Sequence, residues 1–237
     1  MGVKASLWLR ELISNPRARL TVLLGSISGT SFLFWKHILD GYTPSKLFID
    51  IYTGFIVSID SGIEIVVLQK FASPIANYFF TYFYLFASFI PVLTLALFIS
   101  RRGWNDAIRI CLCSLLAYIL AFIMPYLFPV APPRFAVSGV LSIRNEVLPQ
   151  SEGLIPSGFL YAAFPSLHMI GATYSLLCAN SFKMRRAYFY LWGALLFLTA
   201  FSTLFLGEHY LVDVFAGLVV GAALWMVAGA LQRVLRW

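Results

Sequence analysis

Charge is scarce in this chain of 237 residues: only 11% are Asp, Glu, Lys or Arg, while 60% are hydrophobic. A soluble domain of this size carries far more charged surface, so a water-soluble fold is excluded. Cysteine is nearly absent, with Cys111, Cys113 and Cys178 all inside apolar runs, which excludes a disulfide framework across loops. Alternating apolar and polar stretches are lacking too; the apolar runs are continuous, which argues against a membrane β-barrel. There is no internal repeat and no low-complexity tract. Acids number 10 against 17 bases, a net charge of +7. In so apolar a chain that excess reads as membrane topology and attraction to anionic lipid, not as nucleic-acid binding.

What is there is a series of six runs long enough to span a bilayer, for which about 20 apolar residues suffice. They are Leu20–Leu39, Ile75–Ile99, Ala107–Phe128, Phe164–Phe182, Tyr188–Leu206 and Tyr210–Leu231. The expected fold is an all-α integral membrane protein, a six-transmembrane helix bundle in one domain over residues 1–237. A basic amphipathic segment over 1–19 lies on the cytoplasmic leaflet, carrying Trp8, Leu9, Leu12 and Ile13. The segment 41–74 holds Asp50, Asp60, Glu64 and Lys70, with a break at Ser61-Gly62, and is read as interfacial helices, a seventh span being the competing reading. Residues 76–229 form the catalytic bundle. Pro91 and Pro125 fall within spans and are expected to bend them. Gly217 and Gly221 make a small-xxx-small pair that permits close helix approach.

Basic residues fall in alternate segments. Twelve of the seventeen (Lys4, Arg10, Arg17, Arg19, Arg101, Arg102, Arg109, Lys183, Arg185, Arg186, Arg233 and Arg236) belong on the cytoplasmic side. Both termini are therefore expected inside, and the long loop Pro129–Ala163 and the turn at Gly207-Glu208 outside.

Histidine is the rarest informative residue, three in all. Two of them stand at the mouths of separate spans, in Phe164-Pro165-Ser166-Leu167-His168 and in Gly207-Glu208-His209-Tyr210-Leu211-Val212-Asp213. Polar side chains are costly in hydrocarbon, so this placement marks a working site facing the extracytoplasmic side. His209 and Asp213 are four apart, so on a helix they share a face at about 6 Å between Cβ atoms. The carboxylate then accepts from one ring nitrogen and leaves the other outward as a nucleophile. His168 supplies a second imidazole to protonate a leaving group. Arg134 and Ser166, with the backbone N–H groups opening the fourth span, offer a seat for a phosphate. The set fits phosphoryl transfer without a metal or other cofactor; a zinc site would call for further convergent ligands. His37 is left as an interfacial side chain, Glu208 as a carboxylate near a helix start with a substrate contact as the alternative, and Asp60 and Glu64 as a solvated face with contact to a polar head group as the alternative. Ser202 and Thr203 are expected to bond back to helix carbonyls. Tyr78, Tyr82, Phe83 and Tyr84 are read first as an aromatic belt or span packing, with Tyr82 or Tyr84 reaching the site as the lesser alternative.

These motifs resemble the type 2 phosphatidic acid phosphatase superfamily, whose patterns are K-x6-R-P, P-S-G-H and S-R-x5-H-x3-D. The second stands here as Pro165-Ser166-Leu167-His168, and the third as Ser202-Thr203, five residues, His209, three more and Asp213. The resemblance implies a phosphohistidine at His209, orientation by Asp213, and His168 as acid and then base. Departures are equally plain: Leu127 stands for the first-motif Lys, Phe135 for the Pro, Leu167 for the Gly and Thr203 for the third-motif Arg. Two of three family cations are thus missing, which suits a singly charged phosphodiester. The reduced pattern is similar to the inositol phosphorylceramide synthase branch. It implies a transferase moving a phosphorylated head group, phosphoinositol among the candidates, from a lipid phosphoester donor to a lipid alcohol acceptor. The alternatives are a lipid phosphatase acting on phosphatidate or an isoprenoid pyrophosphate, and a non-catalytic transporter or binding protein on the same fold.

Overall fold

The computed structural model describes residues 14–26, 42–102, 104–150, 157–181 and 186–234. His37, most of the amphipathic segment 1–19 and the part of Leu20–Leu39 from residue 27 onward lie outside them. Within them the chain is helical apart from loops and a single isolated parallel bridge between Val130 and Ala162.

The first described helix, α1, covers residues 16–26, crossing the expected boundary at Leu20. Asn15 accepts from the Arg17 N–H at 3.0 Å and Pro16 follows it, a cap and a first-turn proline that together start a helix before the apolar run begins. Next come α2 (Lys46–Ile59) and α3 (Ile63–Gln69), bent by 77°. The break lies where the sequence puts it: Gly62 adopts φ +70°, and Asp60 Oδ1 accepts from its N–H at 3.1 Å. Asp60 is no solvated surface group, because its other oxygen accepts from the Val212 N–H at 2.8 Å and so caps a helix 152 residues away.

The expected span Ile75–Ile99 is two helices, α4 (Pro74–Ala87) and α5 (Ile90–Arg102), bent by 52°. Pro91 sits in the first turn of α5, where the absent N–H costs nothing, so the chain breaks ahead of it at Ser88-Phe89. Then follow α6 (Trp104–Leu127, containing Pro125), the short α7 (Pro133–Ala136) and α8 (Ile143–Val147), a 3₁₀ turn over Ser157–Tyr161, α9 (Leu167–Ser181), α10 (Arg186–Phe205) and α11 (Leu211–Val234). Among the described residues three helices are long and apolar enough to cross a membrane, Ala107–Leu127 of α6, α10 and α11, and up to five spans result if each bent pair is one. Six were expected; α9 has only 15 residues, and α1 is described for 11. Large apolar side chains such as Phe197, Phe215 and Val219 face outward, as lipid contact requires.

At the centre is α9, packed against α5, α6, α10 and α11. Its approach to α11 depends on glycine. A Cβ on Gly217 would lie 2.6 Å from Met169 Cβ and 2.8 Å from Ser166 O, and one on Gly221 would lie 2.8 Å from Ile170 O. The small-xxx-small reading therefore holds, and the partner it admits is the backbone that carries His168. Gly217→Ala is expected to cost about 1–3 kcal/mol through forced separation of the two helices. Thermal unfolding in detergent, followed beside Gly193→Ala, whose added Cβ meets nothing within 4 Å, checks it.

The long loop between α6 and α9 is tied down on several sides. Val130 donates to Tyr161 O at 2.8 Å, and Ala131 donates to Thr53 Oγ1 at 3.0 Å. The Gln69 amide, buried at the end of α3, donates to Leu141 O and Phe205 O and accepts from Leu141 N–H, joining the loop to the end of α10. A buried amide so fully satisfied is a rigid joint.

Candidate active site

The chain leaves α10 through Gly207, whose φ of +68° only glycine adopts readily. A Cβ there would also lie 2.7 Å from Val140 Cγ1. This turn sends Glu208 and His209 inward, where both are buried. The hydroxyls of Ser202 and Thr203 bond back to the carbonyls of Thr199 and Ala200, as expected, so Thr203 offers nothing to an anion.

His209 precedes α11 instead of lying on it. Its Nδ1 is 2.7 Å from Ala163 O and 3.6 Å from Asp213 Oδ2. The orienting bond is thus to a backbone carbonyl, with the carboxylate behind it, because Asp213 Oδ2 is already taken by the Tyr210 N–H at 2.8 Å. That reach back to the residue before the helix is half of a capping box. The carbonyl can only accept, so Nδ1 carries the proton and Nε2 is left with its lone pair. The expected tautomer stands, fixed chiefly by a different group.

His168 opens α9. Its Nε2 lies 3.0 Å from Ser88 Oγ, at the break between α4 and α5, and its ring packs on Tyr84 with centroids 4.2 Å apart. The two histidine rings come together at 6.3 Å between centroids, inclined by 67°. Ser166 is buried just ahead of α9; its N–H donates to Asp213 O, and its hydroxyl accepts weakly from Met169 N–H at 3.5 Å. It serves first to start the helix and to link α9 to α11.

Arg134 sits in α7, its N–H donating to Gly207 O at 3.0 Å and its guanidinium 3.9 Å from the Phe135 ring centroid. Its Nε donates to Glu208 Oε1 at 3.0 Å. Glu208 is therefore more than a helix-start carboxylate: the same oxygen lies 3.1 Å from Arg144 Nε. Arg144, in α8, is 2% exposed, and its Nε and Nη2 are buried without a hydrogen-bond partner. Sequence reasoning used this arginine only for topology, held Tyr84 at the site as a lesser alternative to the aromatic belt, and missed Ser88 as a neighbour of His168. A cation in the one long loop, between two expected site motifs, was the signal for Arg144; nothing comparable marked Ser88. The residue in the family's lysine position, Leu127, is 64% exposed and apolar. Among the described residues, no three His, Cys, Asp or Glu side chains gather to hold a metal ion.

Two imidazoles facing each other beside buried arginines form an arrangement for phosphate chemistry, and residues 57–227 match the profile of the PAP2 superfamily. The chain belongs to that superfamily. A PA-phosphatase related-family protein of Dictyostelium discoideum is 29% identical over 129 residues, which are 49% of this chain and 22% of that relative. The crystal structure of Aquifex aeolicus LpxE superposes with a TM-score of 0.58 at 16% identity, covering 72% of this chain and 94% of that one. The likeness shows that the bundle shares the LpxE fold, and the departures from the PAP2 motifs at Leu127, Phe135, Leu167 and Thr203 are built into that fold.

Proposed function

We propose that this PAP2 protein is a membrane lipid phosphotransferase, with His209 as nucleophile and His168 as acid and base, working without a metal. The observation that carries the reading is the pair of rings 6.3 Å apart, one of them held through Nδ1 so that Nε2 is free to attack. Nε2 of His209 forms a bond to phosphorus, the bond from phosphorus to the donor's alcohol oxygen breaks, and His168 gives that oxygen its proton. The acceptor hydroxyl then loses its proton to His168 and attacks phosphorus, freeing His209. Asp213 steadies the imidazolium character that develops, and Arg134 and Ser166 bind phosphate oxygens. In topology the proposal is six spans with both termini cytoplasmic and the site extracytoplasmic, supported by the segregation of basic residues. The reduced cation pattern favours the inositol phosphorylceramide synthase-like branch and a phosphodiester donor.

A second reading, hydrolysis of phosphatidate or an isoprenoid pyrophosphate, is favoured by the name of the Dictyostelium relative. The test is to reconstitute the full chain with radiolabelled phosphatidylinositol, phosphatidate or isoprenyl pyrophosphate, with and without ceramide or diacylglycerol. Product that forms only when an alcohol is added supports transfer; inorganic phosphate released without one overturns it in favour of the phosphatase.

A further inference from the structure

We infer that Glu208 sets the net charge of the phosphate seat at +1 and thereby selects singly charged phosphodiesters over doubly charged phosphomonoesters. This deepens the phosphate-site reading and rests on it. Three charged side chains meet almost fully out of water: those of Arg134, Arg144 and Glu208 are 1%, 3% and 7% exposed. One carboxylate oxygen lies 3.0 and 3.1 Å from the two Nε atoms. Arg134 Nε donates to Glu208, whereas Arg144 Nε faces the same oxygen without forming a hydrogen bond. In Arg144, neither Nε nor Nη2 has a hydrogen-bond partner, although both are buried. A buried guanidinium donor left unmatched is costly, and an anionic oxygen is its natural complement.

Two cations and one anion leave a single positive charge beside the histidines. A phosphodiester brings one negative charge and neutralises it. A phosphomonoester above its second pKa of about 6 brings nearly two, and the uncompensated charge would sit where solvent screening is weak. The missing family cations therefore do not describe the site fully: Arg144 returns one of them, and Glu208 cancels its charge while holding it in place. A carboxylate kept only to position arginines would predict no discrimination by ligand charge.

Glu208→Gln separates the two roles, because the amide oxygen can still accept from Arg134 Nε and face Arg144 Nε while the charge is gone. Binding of monobutyl phosphate and dibutyl phosphate to the full chain in nanodiscs at pH 8 is measured by titration calorimetry. Wild type is expected to prefer the dibutyl ester, and Glu208→Gln to shift the ratio toward the monobutyl ester by about tenfold or more. The double variant Arg144→Gln/Glu208→Gln, again at +1, is expected to return the ratio toward wild type while weakening both ligands. Should Glu208→Gln not fold, wild type alone decides: lowering the pH to 5 makes the monoester singly charged and is expected to improve its binding relative to the diester. An unchanged ratio in Glu208→Gln, or tighter monoester binding by wild type at pH 8, overturns the inference. Neither result depends on turnover, so a failed transfer assay with a shifted ratio would count against the phosphotransferase alone.

Discussion

Replacing His209 by Gln lowers transfer by about 10³-fold or more and removes every trace of covalent phosphoenzyme. Glutamine can still donate to Ala163 O, so the turn after Gly207 keeps its anchor, but no side-chain atom remains that can bond to phosphorus. Rapid quenching with radiolabelled donor, followed by denaturation in alkali, which preserves phosphohistidine, and in acid, which destroys it, reads the outcome directly. Labelled protein persisting in the variant would move the nucleophile elsewhere.

His168→Gln is expected to slow lipid turnover by about 10²–10⁴-fold, the usual worth of a positioned acid and base. Its effect depends on the leaving group. An alkoxide needs a proton to depart, while p-nitrophenolate does not, so with a p-nitrophenyl phosphodiester the variant should form the phosphoenzyme and then stall. One equivalent of nitrophenol per protein is released in a burst, with no further turnover, because the acceptor alcohol has lost its base. Equal loss of burst and turnover would mean that His168 shapes the site instead of moving protons.

That the two histidines come together was legible in the sequence because their signature is local: a histidine at the mouth of each of two apolar runs, with fixed spacing to Pro165-Ser166 and to Asp213. The membrane class was legible from composition, and the glycine pair on α11 from its four-residue spacing. Other parts were hidden for physical reasons. The bond from His209 Nδ1 to Ala163 O joins residues 46 apart through a backbone carbonyl, and every residue has one of those. Pro91 signalled a bend in the span Ile75–Ile99, but its 52° extent falls inside an unbroken apolar run, where hydropathy cannot register a change of direction. Asp60 looked like a surface acid because its partner, the Val212 N–H, belongs to a helix far along the chain. Arg144 was misjudged for a related reason: charge counting assigns a residue to a side of the membrane and says nothing about the depth at which its side chain rests.

Gln69 couples these parts. By bonding to both Leu141 and the last carbonyl of α10, one amide fixes the ledge bearing the arginines to the hinge bearing His209. His209 and the two arginines are consequently tied into one piece, whereas His168 stands on a different element, α9. On the proposed assignment, a shift of α9 against this piece would alter the interval between the two imidazoles and leave the arginine–glutamate balance beside His209 in place, so the pace of transfer and the choice of ligand would rest on different parts of the same architecture.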